Sequence, residues 1–205
     1  LVDTWFGMFM DKLDALGLGE NTAVFFISDH GTNFCDNPRN IIGKPEDSMY
    51  PGVMRLPLLV RLPRGECAGQ TDDELVYDVD LTATVYDLAG IASEQGIDGQ
   101  SLMPLLGGGG TWQPREYVTC RYGHSLCYID ERSWVLTNVD GEPQEVFGLE
   151  SDPHCTRDIK GTADGSRFKL AWQRLLSDAG GSFPDYRASR ETDALGRARR
   201  WARLP

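Results

Sequence analysis

The order of apolar and polar residues predicts an α/β region in the first half of the chain. Residues 23–28 form an apolar run without alternation, as is typical of a strand buried on both faces in a parallel sheet, and residues 57–62 predict another strand. Residues 80–89 predict a helix, with Asp80 as its N-cap and Gly90 at its end. An earlier helix is predicted from apolar residues at helical spacing, namely Val2, Trp5, Phe6, Phe9, Leu13 and Leu16.

The pattern changes after the glycine run at 107–110. Short segments separated by polar turns predict an antiparallel sheet, and Asp140-Gly141 is a hairpin signal. The predicted strands cover residues 116–122, 125–130, 133–138 and 144–149. A helix over about 164–178 follows. We therefore predict an α/β fold with a mainly parallel sheet, followed by a small antiparallel α+β unit.

These patterns predict three regions along the chain. Residues 1–110 form the α/β core, residues 111–180 the smaller unit, and residues 181–205 a tail. The tail is rich in arginine, at Arg187, Arg190, Arg197, Arg199, Arg200 and Arg203. On an acidic body, such a tail is expected to lie across its own protein or across a second copy, which would make a homo-oligomer.

Composition narrows the function classes. A chain of 205 residues with 40% hydrophobic residues has enough apolar material for a core. The formal charge of −11 argues against a nucleic-acid partner and against docking on an anionic membrane. No apolar run has the roughly 18–20 residues that cross a bilayer. The chain opens inside a predicted helix without an initiator methionine, so we expect a fragment of a longer protein.

The cysteines argue against a zinc ribbon or a redox pair. There are five, and none forms a C-x-x-C pair. Free thiols favour a reducing compartment such as the cytoplasm, although the sequence alone leaves the localisation unknown.

Candidate metal-binding residues lie where the first predicted strand ends, in "SDHG" at 28–31. Ligands of open α/β sheets bind beyond the carboxyl ends of the strands, and a carboxylate beside an imidazole can form part of a divalent-cation site. Asp29 and His30 are therefore candidate ligands, and Gly31 permits a sharp exit. Taken alone, these residues also fit a turn capped by Asp29 with His30 at the surface.

A wider set of segments resembles the sulfatase family of the alkaline-phosphatase superfamily, and specifically its C-terminal portion. The resemblance runs from about Trp5 to about Lys160, in the family's order and at roughly its spacing. It rests on "FFISDHG", "GKPEDSMYPGVMRLPLLVRLP", "VYDVDLTATVYDLAGI", "DGQSLMPLL" and "EVFGLESDP".

The resemblance implies roles for three residues. Asp29 and His30 would bind a divalent metal, for which the family usually takes calcium. Lys44 would contact the sulfate group as a catalytic and substrate-binding residue. Cleavage of a sulfate ester moves negative charge onto the bridging oxygen, and a cation and an ammonium group stabilise that charge.

Two departures from the family pattern limit the comparison. The Glu that often follows the family's Tyr is absent, because the chain reads Tyr50-Pro51. The formylglycine motif C/S-x-P-S-R is also absent, and we interpret "CDNPR" at 35–39 as a decoy because its proline is one position late. The formylglycine is expected in a missing N-terminal part. His124 is a weaker substrate-binding candidate, since a solvent-facing hairpin histidine fits equally well.

We therefore predict part of a sulfuric ester hydrolase that acts on a sulfate-ester small molecule or carbohydrate, with the chain inactive alone. The first alternative is a phosphodiesterase or phosphonate monoester hydrolase of the same superfamily. The second is a non-catalytic sulfatase-like accessory chain.

Overall fold

A computed structural model describes residues 1–92, 97–162 and 165–183, without the side chains of residues 165 and 166. The chain forms two compact units. The first consists of residues 1–31 and 55–115, and the second consists of residues 32–54 with the described residues after 115. Residues 32–54 thus lie with the second unit, although the sequence had placed them in region 1–110. Most of the predicted tail, 181–205, lies outside the described residues.

The first unit is built on helix α1 (Val2–Ala15) and strands β1 (Val24–Ile27) and β4 (Leu58–Arg61), with helix α3 (Asp80–Leu88) following. Phe6 of α1 packs on Phe26 of β1, with ring centroids 4.6 Å apart. Short 3₁₀ turns at Leu18–Asn21 and Pro63–Gly65 complete the ordered elements of this unit.

The predicted mainly parallel sheet does not appear in the described part of the chain. Strands β1 and β4 pair antiparallel, with Ile27 opposite Leu58 and Val24 opposite Arg61. The chain leaves β1 and re-enters β4 at the same end of the pair, so β4 must run back along β1. The apolar runs are half-exposed rather than buried on both faces.

Asp80 does not cap α3 as predicted. It lies inside the first turn, and Val79 occupies the N-cap position without a side-chain cap. The Asp80 carboxylate is fully buried and accepts two hydrogen bonds from Arg115, at 2.7 and 2.8 Å. It also accepts the backbone N–H groups of Tyr77 and Gln100, so it ties the helix to residues on both sides. The predicted end at Gly90 is confirmed by its left-handed φ of 65°.

The second unit contains the predicted antiparallel sheet, whose existence is confirmed. Its four strands pair in sequence order, β5-β6-β7-β8, and helix α4 (Gly165–Asp178) follows them. The strands are β5 (Tyr117–Tyr122), β6 (Ser125–Asp130), β7 (Ser133–Asn138) and β8 (Pro143–Gly148). The remaining elements are strands β2 (Asn33–Phe34) and β3 (Ile42–Gly43), which pair antiparallel, and the short helix α2 (Pro51–Met54).

The four-stranded sheet buries both faces, because successive side chains of a strand point to opposite sides. One face packs on α4 through residues that include Tyr128, Val135 and Leu175. The other face packs on Met49 and Tyr50 through Cys127, Trp134, Leu136 and Phe147. The segment before α2 therefore covers one face of the sheet, which explains why residues 32–54 lie in this unit.

The five cysteines, all within the described residues, are free thiols. No helix in the described part of the chain has the length and apolar character needed to cross a membrane.

Candidate functional site

Asp29 and His30 form a tight turn directly after β1. The Ser28 hydroxyl donates a hydrogen bond to the His30 carbonyl oxygen at 2.8 Å, and Asp29 Oδ1 accepts the His30 backbone N–H at 2.9 Å. These bonds join residues one or two positions apart. The shape of the turn is therefore set locally, by the residues "SDHG" themselves.

The imidazole of His30 is oriented by its own neighbour. Nδ1 lies 3.0 Å from the Gly31 carbonyl oxygen. Because a carbonyl only accepts hydrogen bonds, Nδ1 carries the proton in the neutral ring and the lone pair is on Nε2. Nε2 lies 3.4 Å from Asp29 Oδ2. Two metal-ligating atoms are therefore adjacent, on side chains that are 39% and 84% exposed.

This pair fits a divalent cation as part of a site. A carboxylate oxygen and an imidazole nitrogen both bind divalent metals, and a backbone carbonyl on the second ring nitrogen is the usual support of a metal-bound histidine. The described residues contain no group of three or more His, Cys, Asp or Glu that could hold a metal. Further ligands would have to come from water, from carbonyl groups or from residues outside the described chain.

Lys44 lies in the second unit, immediately after β3. Gly43, its neighbour, has a φ of 94°, a conformation that glycine adopts without strain and other residues avoid. The glycine of the "GK" signal is thus required by the backbone, and it leaves Lys44 exposed beyond the strand. Asp29 and His30 lie in the first unit, and Lys44 and His124 lie in the second.

The loop after Lys44 is anchored at Glu46 and Ser48. The Ser48 backbone N–H and hydroxyl both donate to the Pro45 carbonyl oxygen, at 3.1 and 2.7 Å. The Glu46 carboxylate accepts the backbone N–H of His124 in the turn between β5 and β6. Gly123 has a left-handed φ of 60°, which favours glycine, and a Cβ there would displace the carboxylate.

His124 is held by the same carboxylate. Its Nδ1 lies 3.3 Å from Glu46 Oε1, and its side chain is 17% exposed. Among the described residues, no hydrogen-bond partner reaches its buried Nε2. The structure thus brings His124 to the loop that carries Lys44, through Glu46. The sequence did not single out Glu46, because a contact between residues 46 and 124 leaves no local signal.

A second group of polar side chains fastens the same loop. Arg39 donates from Nε to the Tyr50 hydroxyl at 2.8 Å and from Nη1 to Asp47 Oδ2 at 2.8 Å. The Tyr50 hydroxyl in turn donates to Glu145 of β8. The "CDNPR" segment therefore supplies a structural arginine, as expected if its likeness to a nucleophile motif is accidental.

The pKa values in this group follow from burial and hydrogen bonding. Burial raises the pKa of Tyr50, and the hydrogen bond to Glu145 raises it further. The hydrogen bond from Arg39 lowers the pKa of Asp47, against a smaller opposing effect of burial. Burial acts to lower the pKa of Arg39, but its bonds to Asp47 and Tyr50 outweigh that effect and raise it. The loop therefore carries a lasting ion pair at neutral pH.

Comparison with known proteins finds a match over the first part of the chain. The family model described as sulfatase matches residues 1–91, which include Asp29, His30 and Lys44. This part of the chain is therefore similar to the sulfatase family. An endo-4-O-sulfatase of Bacteroides thetaiotaomicron is 36% identical over 51% of this chain and 20% of the relative. An N-acetylglucosamine-6-O-sulfatase of the same organism is 26% identical over 90% of the chain and 34% of the relative.

A fold similar to that of this chain is also found in solved structures. The phosphonate monoester hydrolase of Agrobacterium radiobacter matches with a TM-score of 0.72 at 24% identity, over 86% of the chain and 38% of that protein. The prediction of an α/β fold is therefore confirmed, whereas the described residues do not show the mainly parallel sheet. The chain spans about a third or less of the curated sulfatases named above.

Proposed function

We propose that this chain is part of a sulfatase that hydrolyses sulfate esters. The observation that supports this most directly is the turn at Asp29 and His30, where His30 Nε2 and Asp29 Oδ2 lie 3.4 Å apart within the family match. Sulfate-ester hydrolysis requires positive charge beside an anionic group, and these two ligand atoms could supply it through a bound cation.

Asp29 and His30 would hold a divalent cation, and Ca²⁺ is the ion we expect. When bound, the cation would polarise the sulfate oxygens and help to hold the nucleophile. The Gly31 carbonyl would keep the proton on Nδ1 of His30, so that the lone pair of Nε2 would bind the metal. A formylglycine outside this chain would be the nucleophile.

Lys44 would bind the sulfate group through its ammonium. A lysine is a compact point charge on a flexible stem, so a fixed backbone is needed to aim it. Gly43 and the Glu46 anchor supply that fixed backbone. His124 would contribute a substrate contact, because Glu46 holds its ring on the loop that carries Lys44.

We propose a sulfated carbohydrate as the substrate class. The support is that the N-acetylglucosamine-6-O-sulfatase is named for a sulfated sugar. The rival function is hydrolysis of phosphonate or phosphate diesters, since the same fold occurs in a phosphonate monoester hydrolase. An accessory chain without a nucleophile is the second rival.

The test uses the longest protein that contains this sequence. Turnover is measured on a 6-O-sulfated N-acetylglucosamine, a 4-nitrophenyl sulfate and a 4-nitrophenyl phenylphosphonate, with Lys44→Ala, Asp29→Ala and the control Lys12→Ala. Loss of one electrostatic contact to the transition state costs about 10²–10³-fold in kcat, so Lys44→Ala should fall by this factor. The control, an exposed lysine in the last turn of α1, should match wild type.

Each outcome points to one function. The proposal is supported if the wild-type protein turns over sulfate esters fastest and if this turnover is lost in Asp29→Ala and Lys44→Ala. Preference for the phosphonate supports the first rival. No turnover of any ester, in a protein that also lacks the C/S-x-P-S-R motif throughout, supports the accessory chain.

A further inference from the structure

Three oxygen atoms from one short segment converge beside Gly52. Distances are measured here from the position that a Cβ on Gly52 would occupy. Asp36 Oδ2 and the Thr32 carbonyl oxygen lie 3.2 Å from that point, and Asn33 Oδ1 lies 3.4 Å from it. An ionised carboxylate, a backbone carbonyl and an amide oxygen only accept hydrogen bonds. The group that satisfies all three must therefore be a cation or a hydrogen-bond donor.

Asn33 is the strongest sign that this space takes a ligand. Its side chain is fully buried, and Nδ2 donates to the Ser48 carbonyl oxygen at 3.0 Å. Because that carbonyl only accepts, the amide cannot be turned around, and Oδ1 must face Gly52. Oδ1 is buried, and the described residues offer it no hydrogen-bond partner. A buried acceptor without a hydrogen bond raises the free energy of the folded state, so a ligand bound here would stabilise the fold.

Asp36 supplies a charged ligand that an ion in solvent can reach. Its Oδ1 accepts the Phe34 backbone N–H at 3.0 Å, which fixes the carboxylate and leaves Oδ2 towards Gly52. The residue is exposed, so an ion can reach this oxygen from solvent. Thr32, Asn33 and Asp36 lie within five consecutive positions, so one turn of chain presents all three oxygens.

We propose that Thr32 O, Asn33 Oδ1 and Asp36 Oδ2 form a calcium-binding site at Gly52, with water molecules completing the coordination shell. Ca²⁺ binds mixed sets of carboxylate, carbonyl and amide oxygens in flexible geometry, whereas Mg²⁺ demands a near-ideal octahedron. With one carboxylate the affinity is weak, with a Kd of about 10⁻⁴–10⁻³ M. The site shares no residue with Asp29, His30 and Lys44 and does not depend on the proposed hydrolase activity.

The first experiment titrates the isotope-labelled full 205-residue chain with CaCl₂ and follows residue-specific NMR signals. The Asn33 side-chain amide and the Gly52 backbone N–H should shift saturably, with a Kd in the range given above. MgCl₂ should bind at least about tenfold more weakly, as its stricter geometry requires. NaCl at matched ionic strength should produce no saturable shift.

Two variants test the assignment. Gly52→Ala puts a methyl group into the space, and Gly52 lacks a left-handed φ, so alanine suits the backbone. Asp36→Asn keeps an Oδ1 acceptor for Phe34 and removes the charged ligand. Both should weaken Ca²⁺ binding at Asn33 at least about tenfold, Gly52→Ala because the methyl group fills the space and Asp36→Asn because one of few ligands is lost.

The controls match these changes. Gly7→Ala adds a methyl in open space on α1. Asp72→Asn makes the same change at another exposed carboxylate. Asp72 accepts the backbone N–H of Glu74, two residues later, much as Asp36 accepts that of Phe34, two residues earlier. Asp29→Ala removes the other candidate cation ligand. All three should leave the shifts of Asn33 and Gly52 unchanged.

Three results would overturn the proposal. The first is the absence of saturable shifts at about tenfold above the expected Kd, which would leave an ordered water as the occupant. The second is a response to Na⁺ equal to that to Ca²⁺. The third is unaltered binding in a folded Asp36→Asn protein. The wild-type titration decides the question even if a variant fails to fold.

Discussion

The turn at Asp29 and the loop at Lys44 are held in place by different means. Hydrogen bonds around Asp29 join residues one or two positions apart, and its side chain is 84% exposed. The loop that carries Lys44 is fastened by contacts that span 78 residues at Glu46 and 95 residues at Tyr50. The turn can therefore form from local sequence alone, whereas the loop takes its shape only when the four-stranded sheet has folded.

The largest expected effect comes from the core on which the loop rests. Trp134 is 1% exposed, and its indole N–H donates to the Met49 carbonyl oxygen at 3.0 Å. Trp134→Ala should lower the free energy of unfolding by about 3–5 kcal/mol, measured by urea denaturation. Trp5→Ala is the control in the first unit, where Trp5 is 63% exposed, and should change it by less than about 0.5 kcal/mol. Equal losses would contradict the comparison.

A smaller effect is expected from the Tyr50 hydroxyl. Tyr50→Phe keeps the ring but leaves the buried Glu145 carboxylate without its hydrogen-bond donor. The free energy of unfolding should fall by about 1–3 kcal/mol. Hydrogen exchange should quicken at the loop amides but not in the Asp29 turn. Tyr122→Phe, at a 43% exposed ring, serves as the control, and a loss as large there would count against this account.

The pH dependence of the loop is predicted at Asp47. Its pKa is lower in the folded chain than its ordinary value of 3.8, chiefly because Arg39 donates a hydrogen bond to it. The resulting stabilisation is complete above that ordinary value and is lost as the pH falls through the lower folded value. The pair is partly exposed, so the effect is at most about 1 kcal/mol.

The measurement compares Asp47→Asn with wild type by urea denaturation at several pH values. The stability gap at neutral pH should close as the pH drops below about 4, where the unfolded carboxylate becomes protonated. If the difference in stability between wild type and Asp47→Asn grew on acidification, the prediction would be wrong.

The smallest effect is expected at Asp29. Asp29→Asn keeps an Oδ1 that accepts the His30 N–H, on a highly exposed side chain. The free energy of unfolding should change by less than about 0.5 kcal/mol, even though the proposed metal ligand is lost. Thermal denaturation without added metal is the measurement. A drop of more than about 1 kcal/mol would mean that the turn supports the fold.

The features best predicted from the sequence are those that depend on residues close together in the chain. The strands from β5 to β8 are joined by short turns, so alternation and turn residues sufficed to locate them within about a residue. The glycine ends of helices were equally readable, as at Gly90. The "SDHG" turn was placed correctly at the end of β1 for the same reason.

Strand pairing and side-chain contacts between residues far apart in the chain were not predicted. An apolar run indicates burial but not the direction of its neighbour, so β1 and β4 were expected in a parallel sheet. The Asp80 side chain was interpreted as a cap because its partner, Arg115, lies 35 positions away. Glu46 and Tyr50 were passed over because their contacts with His124 and Glu145 cross most of the chain. The roles of Asp29, His30, Lys44 and His124 stay predictions.

Residues 32–54 interrupt the first unit and complete the second, and this has a consequence for synthesis on the ribosome. Tyr50 is translated 95 residues before its partner Glu145. At about 5–20 residues per second, Met49 and Tyr50 remain exposed for roughly 5–20 seconds before β8 emerges. During that interval the nascent chain displays an apolar segment whose burial in the folded protein depends on strands not yet translated.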